Sequence, residues 1–141
     1  MARGGSLVEM VAVLAVSGAL LAIAVPRWSR VRDGVAVRQA TLEVATFYQA
    51  ARHAAIRRAT RVHIELRPDS LVAVYEAAAD STFLVRPGPA RHGVALLASR
   101  AVIRMDPMGL GFGAANSTLV LRRGAVAESL TTSRLGRLKR W

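Results

Sequence analysis

The sequence predicts an α+β fold, a long N-terminal helix packed on a small antiparallel β-sheet. Three observations predict it. An apolar run fills Gly5–Val25, an apolar stripe at 3–4 spacing continues to about Arg58, and from Val62 onward the hydrophobic period drops to two. The chain has 141 residues, so once the apolar run is set aside there is room for one modest domain. It has no cysteine, which excludes disulfides, thiolate metal sites and a cysteine nucleophile.

The first element is the 21-residue stretch Gly5–Val25. As a helix rising 1.5 Å per residue it spans roughly 30 Å, the thickness of one hydrocarbon core. Arg3 on its N-terminal side favours a cytoplasmic start, while Arg27, Arg30 and Arg32 beyond it pull the other way. Glu9 is the only charged residue in the run. Small residues (Ala12, Ala15, Ser17, Gly18, Ala19, Ala22) interleave the helix, and such residues let helices approach closely. Ala22-Ile23-Ala24 also fits a secretory cleavage site, which would release a soluble binding module. A plain single-span anchor is the third alternative, with Glu9 merely well placed in the first helical turn.

After Pro26, which lacks an N–H and bends or locally opens a helix, periodicity resumes. Val37, Ala40, Val44, Phe47, Ala51 and Ala54 form the stripe expected to pack on the sheet, and Gly34 is a weak point before it. Val62, Ile64 and Leu66 alternate with His63, Glu65 and Arg67, the pattern of a half-buried strand. Arg67-Pro68-Asp69-Ser70 turns that strand into a return strand at Leu71–Glu76. Further strands are expected at Thr82–Val85, which Pro87-Gly88-Pro89 stops, and at Val94–Ala98 and Ala101–Met105. Asp106–Asn116 reads as a glycine-rich loop, and Thr118–Arg122 with Ala125–Thr132 as a last hairpin about Arg123-Gly124.

The N-terminal segment resembles the class III signal of type IV pilins and type II secretion pseudopilins. Gly4 matches the residue before the cut, Gly5 the new N-terminus, Glu9 the acidic fifth mature position, and Pro26 the kinking proline at mature position 22. The family usually has phenylalanine where Gly5 stands, a departure that bears on the rate of processing and methylation. Further along, "ATFYQAARHAAIRRATRVHI", "VIRMDPMGLG", "STLVLRRG" and "TTSRLGRLKRW" resemble the GspH/FimT family of minor pseudopilins. The resemblance implies a pilin-like fold, a class III leader at 1–4, a transmembrane and assembly helix at 5–26, and a periplasmic domain at 27–141. It further implies cleavage between Gly4 and Gly5 with N-methylation of Gly5, and an assembly role for Glu9 and Pro26. The implied partners are other pseudopilins, the prepilin peptidase and the inner-membrane assembly platform. The implied role is in a short periplasmic pseudopilus of a type II protein secretion system.

No catalytic, cofactor or metal site is expected. His53, His63 and His92 lack metal-ligand spacing, and His53 and His63 read as solvated surface residues. Gly109-Leu110-Gly111-Phe112-Gly113 lacks the following helix and glycine spacing of a dinucleotide loop, and reads as a flexible loop or bulge. Asp69 and Asp106 sit in turns beside prolines, where aspartate has a structural use.

The net charge of +11, with nineteen arginines and one lysine, suits either an anionic partner or a GC-rich coding bias. Arg134, Arg137, Lys139, Arg140 and Trp141 crowd the end of the chain, a mixture suited to a nucleic-acid strand. In the FimT-like branch a basic C-terminal GRxR segment is associated with DNA capture during uptake, and Gly136-Arg137-Leu138-Lys139 is similar to it. The alternative is a final edge strand with a charged, solvated rim.

Overall fold

The computed structural model describes residues 6–76, 81–113 and 116–141, and the backbone alone of 23–26. The predicted leader, Gly4 and Gly5 lie outside the described residues. The chain divides into two compact units, Met1–Arg32 and Asp33–Trp141.

Helix α1 covers Leu7–Arg58. It starts where Ser6 Oγ accepts the Val8 N–H at 3.2 Å, satisfying one of the orphan donors of the first turn. The helix continues through Pro26. It ends in a Schellman closure: Thr60 N–H bonds Ala55 O at 3.1 Å and Ala59 N–H bonds Ile56 O at 3.2 Å. The residue that makes this turn is Ala59, at φ 46°, where glycine is usual.

The strands follow as β1 (Val62–Leu66), β2 (Ser70–Tyr75), β3 (Ser81–Pro87), β4 (Ala95–Ala98), β5 (Val102–Met105), β6 (Gly111–Phe112), β7 (Ser117–Arg123), β8 (Val126–Thr132) and β9 (Leu138–Arg140). They build two sheets where the sequence predicts one: a five-stranded sheet in the order β3-β2-β1-β5-β6 and a four-stranded sheet in the order β4-β7-β8-β9. All pairings are antiparallel. The chain changes sheet after β3, after β4 and after β6; Leu96 of β4 pairs with Leu121 while Ile103 of β5 pairs with Ile64. Both strands were expected; their membership of different sheets depends on partners far along the chain.

Three further features are local. A 3-10 helix, Pro89–His92, precedes β4, favoured by proline in its first turn and closed by Gly93 in the left-handed region at φ 65°. The glycine-rich loop contains the two-residue strand β6, paired to β5 through Arg104↔Phe112 and Met105↔Gly111. The third, the strand β9 in the basic tail, is the edge strand given above as the alternative to a nucleic-acid segment.

One core runs through the domain. The helix stripe Val37, Ala40, Val44, Phe47, Ala51 and Ala54 is buried as expected, joined by Tyr48 and Ala55. It belongs to the same cluster as Ile64, Leu71, Ile103 and Met105 of the larger sheet and Leu119, Leu121 and Leu130 of the smaller one. Alanines in the stripe hold the helix backbone close to the strands, and the β1 pattern alternates buried and half-buried as its period-two sequence demands. Burial raises the pKa of the Tyr48 hydroxyl, because ionisation there would forfeit hydration, and nearby Arg52 partly offsets the rise.

Candidate functional site

Two regions carry the residues singled out from the sequence. In the N-terminal unit, the described side chains of α1 from Leu7 to Leu21 are exposed on every side of the helix. It is one helix, long and apolar enough to cross a membrane, and none of its apolar window is buried among the described residues. Apolar side chains facing outward all round belong in lipid or among other helices.

Glu9 is exposed in the first turn of this helix. Its backbone N–H bonds Ser6 O at 2.9 Å. Ser6 and Glu9 have the spacing of a capping box, but the carboxylate has no partner among the described residues. Local capping therefore does not use the negative charge.

The C-terminal region is built around a junction of three segments. Arg52 on α1 donates from Nε to Gly109 O at 2.9 Å. Gly111 N–H bonds Arg134 O at 2.7 Å, tying the glycine loop to the tail. Gly136, at φ 69°, makes a tight turn through its N–H to Ser133 O at 2.9 Å, while Ser133 N–H bonds Arg137 O at 3.0 Å. A Cβ on Gly136 would sit 2.2 Å from Gly109 O and 2.8 Å from Arg52 Nε. The glycine of the GRxR-like segment is thus required by packing, whatever the neighbouring cations bind.

The same geometry gives the glycine-rich loop, read above as a flexible loop or bulge, a set of internal hydrogen bonds. Asp106 Oδ1 accepts the N–H groups of Met108 at 2.9 Å and Leu110 at 2.8 Å, and Asp106 O accepts that of Gly109 at 2.9 Å. With Gly111 bonded to Arg134, four successive amides are already engaged, so none is left to cradle a phosphate.

The five tail residues separate into three groups. Lys139 stands opposite Thr131 on the outward face of the smaller sheet, with Nζ 3.5 Å from the centroid of Trp141, whose ring is 67% exposed. Arg140 stands opposite the buried Leu130 and pairs with Glu128, its Nε 3.3 Å from Oε2. Arg134 and Arg137 lie on the loop, exposed, and their guanidinium groups have no partner among the described residues. The sequence groups Arg140 with the other tail cations and gives no sign of Glu128, which reaches it only through the β8–β9 register.

The histidines are partly as expected. His53 is exposed, but His63 is half-buried with Nδ1 3.5 Å from Glu76 and Nε2 3.9 Å from Glu65. His92 Nε2 lies 3.0 Å from Glu43 Oε2, and Glu43 also pairs with Arg91. With Arg123 Nε at 3.0 Å from Asp33, these contacts join α1 to the 3-10 helix and to β7. Among the described residues, no three His, Asp or Glu side chains converge as a metal site would require.

Comparison with known proteins adds three findings. A family model described as Type II transport protein GspH matches residues 40–136. The fold is similar to that of the type IV minor pilin FimU of Pseudomonas aeruginosa in two crystal forms. In the first, the TM-score is 0.63 at 15% identity over 73% of this chain and 86% of that one. In the second, it is 0.62 at 14% identity over 74% and 91%. No curated protein sequence gives a significant match.

Proposed function

The chain belongs to the GspH family, a structural and non-enzymatic family of pilin-like minor subunits, and from that premise we propose that it is a minor pseudopilin of a type II protein secretion system. In this reading it enters the inner membrane as a precursor, with its C-terminal domain in the periplasm. Prepilin peptidase cuts after Gly4 and Gly5 is methylated. The mature chain joins other pseudopilins in a short filament on the inner-membrane assembly platform.

The observation that carries the reading is Glu9, a carboxylate without a partner among the described residues and the only charged residue between Leu7 and Val25 of the helix. A charge in a membrane helix costs up to about 2.5–3.5 kcal/mol at the centre and less toward an end such as Glu9's, and such groups persist where they find a partner. Cleavage after Gly4 creates an α-amine five residues into the precursor, at the start of the same helix. In a bundle of staggered subunits, Glu9 of one chain meets the amine of its neighbour. Desolvation offsets much of that attraction, so the pair acts chiefly on register: one stagger neutralises both charges and others leave them buried alone. Pro26 relaxes the helix just beyond this segment.

Intact mass of the membrane-extracted protein tests the reading. A mature chain beginning at Gly5 with one methyl group is expected; a chain beginning at Val25, or one retaining its leader, overturns it.

A second reading, DNA capture by a type IV minor pilin, is favoured by one specific observation. Arg134 and Arg137 are exposed and unpaired among the described residues, beside the outward Lys139–Trp141 pair. Such a surface offers phosphate contacts and one ring for stacking. Fluorescence anisotropy of the full chain in detergent with single-stranded and duplex DNA decides it. Micromolar, salt-sensitive binding lost in Arg134→Ala/Arg137→Ala favours capture, and absence of binding at low salt leaves secretion.

A further inference from the structure

Along the flank of α1, between the helix and the edge strand β3, the fold leaves a groove of about 430 Å³. Phe47, Leu71 and Leu84 line it, and Leu42, 51% exposed, stands on its helix side. Two arginines, Arg86 and Arg91, line it as well, and they are not equivalent. Arg91 pairs with Glu43. Arg86 stands opposite Leu71 in the β2–β3 register, and Leu71 is buried, so Arg86 leaves the strand on the helix side of the sheet. It has no partner among the described residues, whereas Arg67, Arg104, Arg123 and Arg140 each lie beside a carboxylate.

Arg86 is exposed at the rim of the groove, and its guanidinium, beside Leu84 and without a carboxylate among the described residues, is open to a directional, charge-assisted contact with a carboxylate brought from outside. The occupant does not dock as an added strand. Pro87 removes a donor from the end of β3, and an inward-pointing charge on an edge strand opposes strand pairing. Side chains from a helix or loop fit the groove instead.

A second copy of this chain is a poor source of that carboxylate. In the domain's described residues Asp33, Glu43, Glu65, Glu76 and Glu128 are already in ion pairs, and Asp106 caps two amides. Asp69 is left with only the hydroxyl of Ser70, and two chains of net charge +11 repel. We infer that the groove beside Arg86 receives an apolar side chain and a neighbouring carboxylate from a different, acidic subunit of the same filament, an inference that rests on the pseudopilin reading above.

In-cell photo-crosslinking of the full chain tests it, with Leu42→benzoylphenylalanine reporting the groove and Val13→benzoylphenylalanine reporting helix-to-helix assembly. The expected product at position 42 is a single adduct. Mass spectrometry identifies its partner as a chain of net negative charge carrying a prepilin-type N-terminus. Arg86→Glu and Arg86→Gln lower its yield about tenfold or more, while Arg86→Lys retains most of it. An adduct with a second copy, an adduct with a protein lacking a prepilin-type N-terminus, or a yield indifferent to Arg86→Glu and Arg86→Gln overturns the inference. Adducts at position 13 with none at position 42 also overturn it but leave the filament reading standing. Absence of both removes the filament reading and this inference with it.

Discussion

Replacing Gly136 by alanine separates a structural demand from a ligand-binding one inside the basic tail. The new methyl carbon would lie 2.2 Å from Gly109 O, so the loop at 133–137 or the loop at 106–113 must move by about 1 Å to restore ordinary contact. Overpacking of that kind typically costs about 1–3 kcal/mol. The left-handed φ of 69° adds about 1–2 kcal/mol for a residue with a side chain, and the stiffer unfolded chain offsets roughly 0.4–1 kcal/mol. Displacing Gly109 also weakens its 2.9 Å bond from Arg52, a charge-assisted contact worth about 1.5–3 kcal/mol. With partial relaxation, the expected destabilisation is about 3 kcal/mol, a large share of the roughly 5–15 kcal/mol that holds a domain folded. Thermal unfolding of the detergent-solubilised chain, followed by circular dichroism, should show Tm falling by at least about 10 °C. Gly124→Ala is the control. Its φ of 55° carries the same backbone strain, but the methyl would meet only the movable end of Asp33 at 2.7 Å, so its Tm should fall by less. If Gly136→Ala unfolds within about 2 °C of the parent, the three-segment junction does not constrain the tail as argued. Arg137→Ala should leave Tm nearly unchanged, since its guanidinium is exposed and unpartnered among the described residues.

Ala59→Gly should raise stability by about 0.5–1 kcal/mol, because it relieves the left-handed strain at φ 46° at the end of α1; a lower Tm would contradict the Schellman reading. Asp106→Ala should cost about 1–2 kcal/mol by releasing the Met108 and Leu110 amides, and hydrogen exchange at those two positions should accelerate. The raised pKa of buried Tyr48 means that the folded chain holds this proton more tightly than the unfolded one. Its contribution is complete below pH about 10 and declines as pH rises toward the folded value. Urea titrations should show stability falling above pH about 10, less steeply in Tyr48→Phe; equal slopes would refute this. Glu9→Val should insert and be processed yet fail to enter filaments in a crosslinking assay, and normal assembly would remove the register role of the carboxylate.

Local order in this chain is written in adjacent residues. The helix stripe from Val37 to Ala54, the alternation of Val62, Ile64 and Leu66, and the turns at Pro68-Asp69 and Gly124 all follow from periodicity and backbone preference within a few positions. Glu9 is visible for the same reason, since a single acid in an apolar run stands out without any knowledge of the fold. Strand β6 left no such trace because two residues are too few to show a period.

What tertiary structure alone decided are the relations between distant segments. Nothing near β4 and β5 says that they enter different sheets; Leu121 and Ile64, their partners' residues, lie elsewhere in the chain. The pairing of Arg140 with Glu128, the closure of Gly136 over Gly109 and Arg52, and the place of Arg86 beside its groove arise only when those segments meet. Backbone preference acts over a single turn or hairpin and so is legible residue by residue. Register, burial and charge pairing depend on which surfaces come together, and that is fixed by the packing of the whole core.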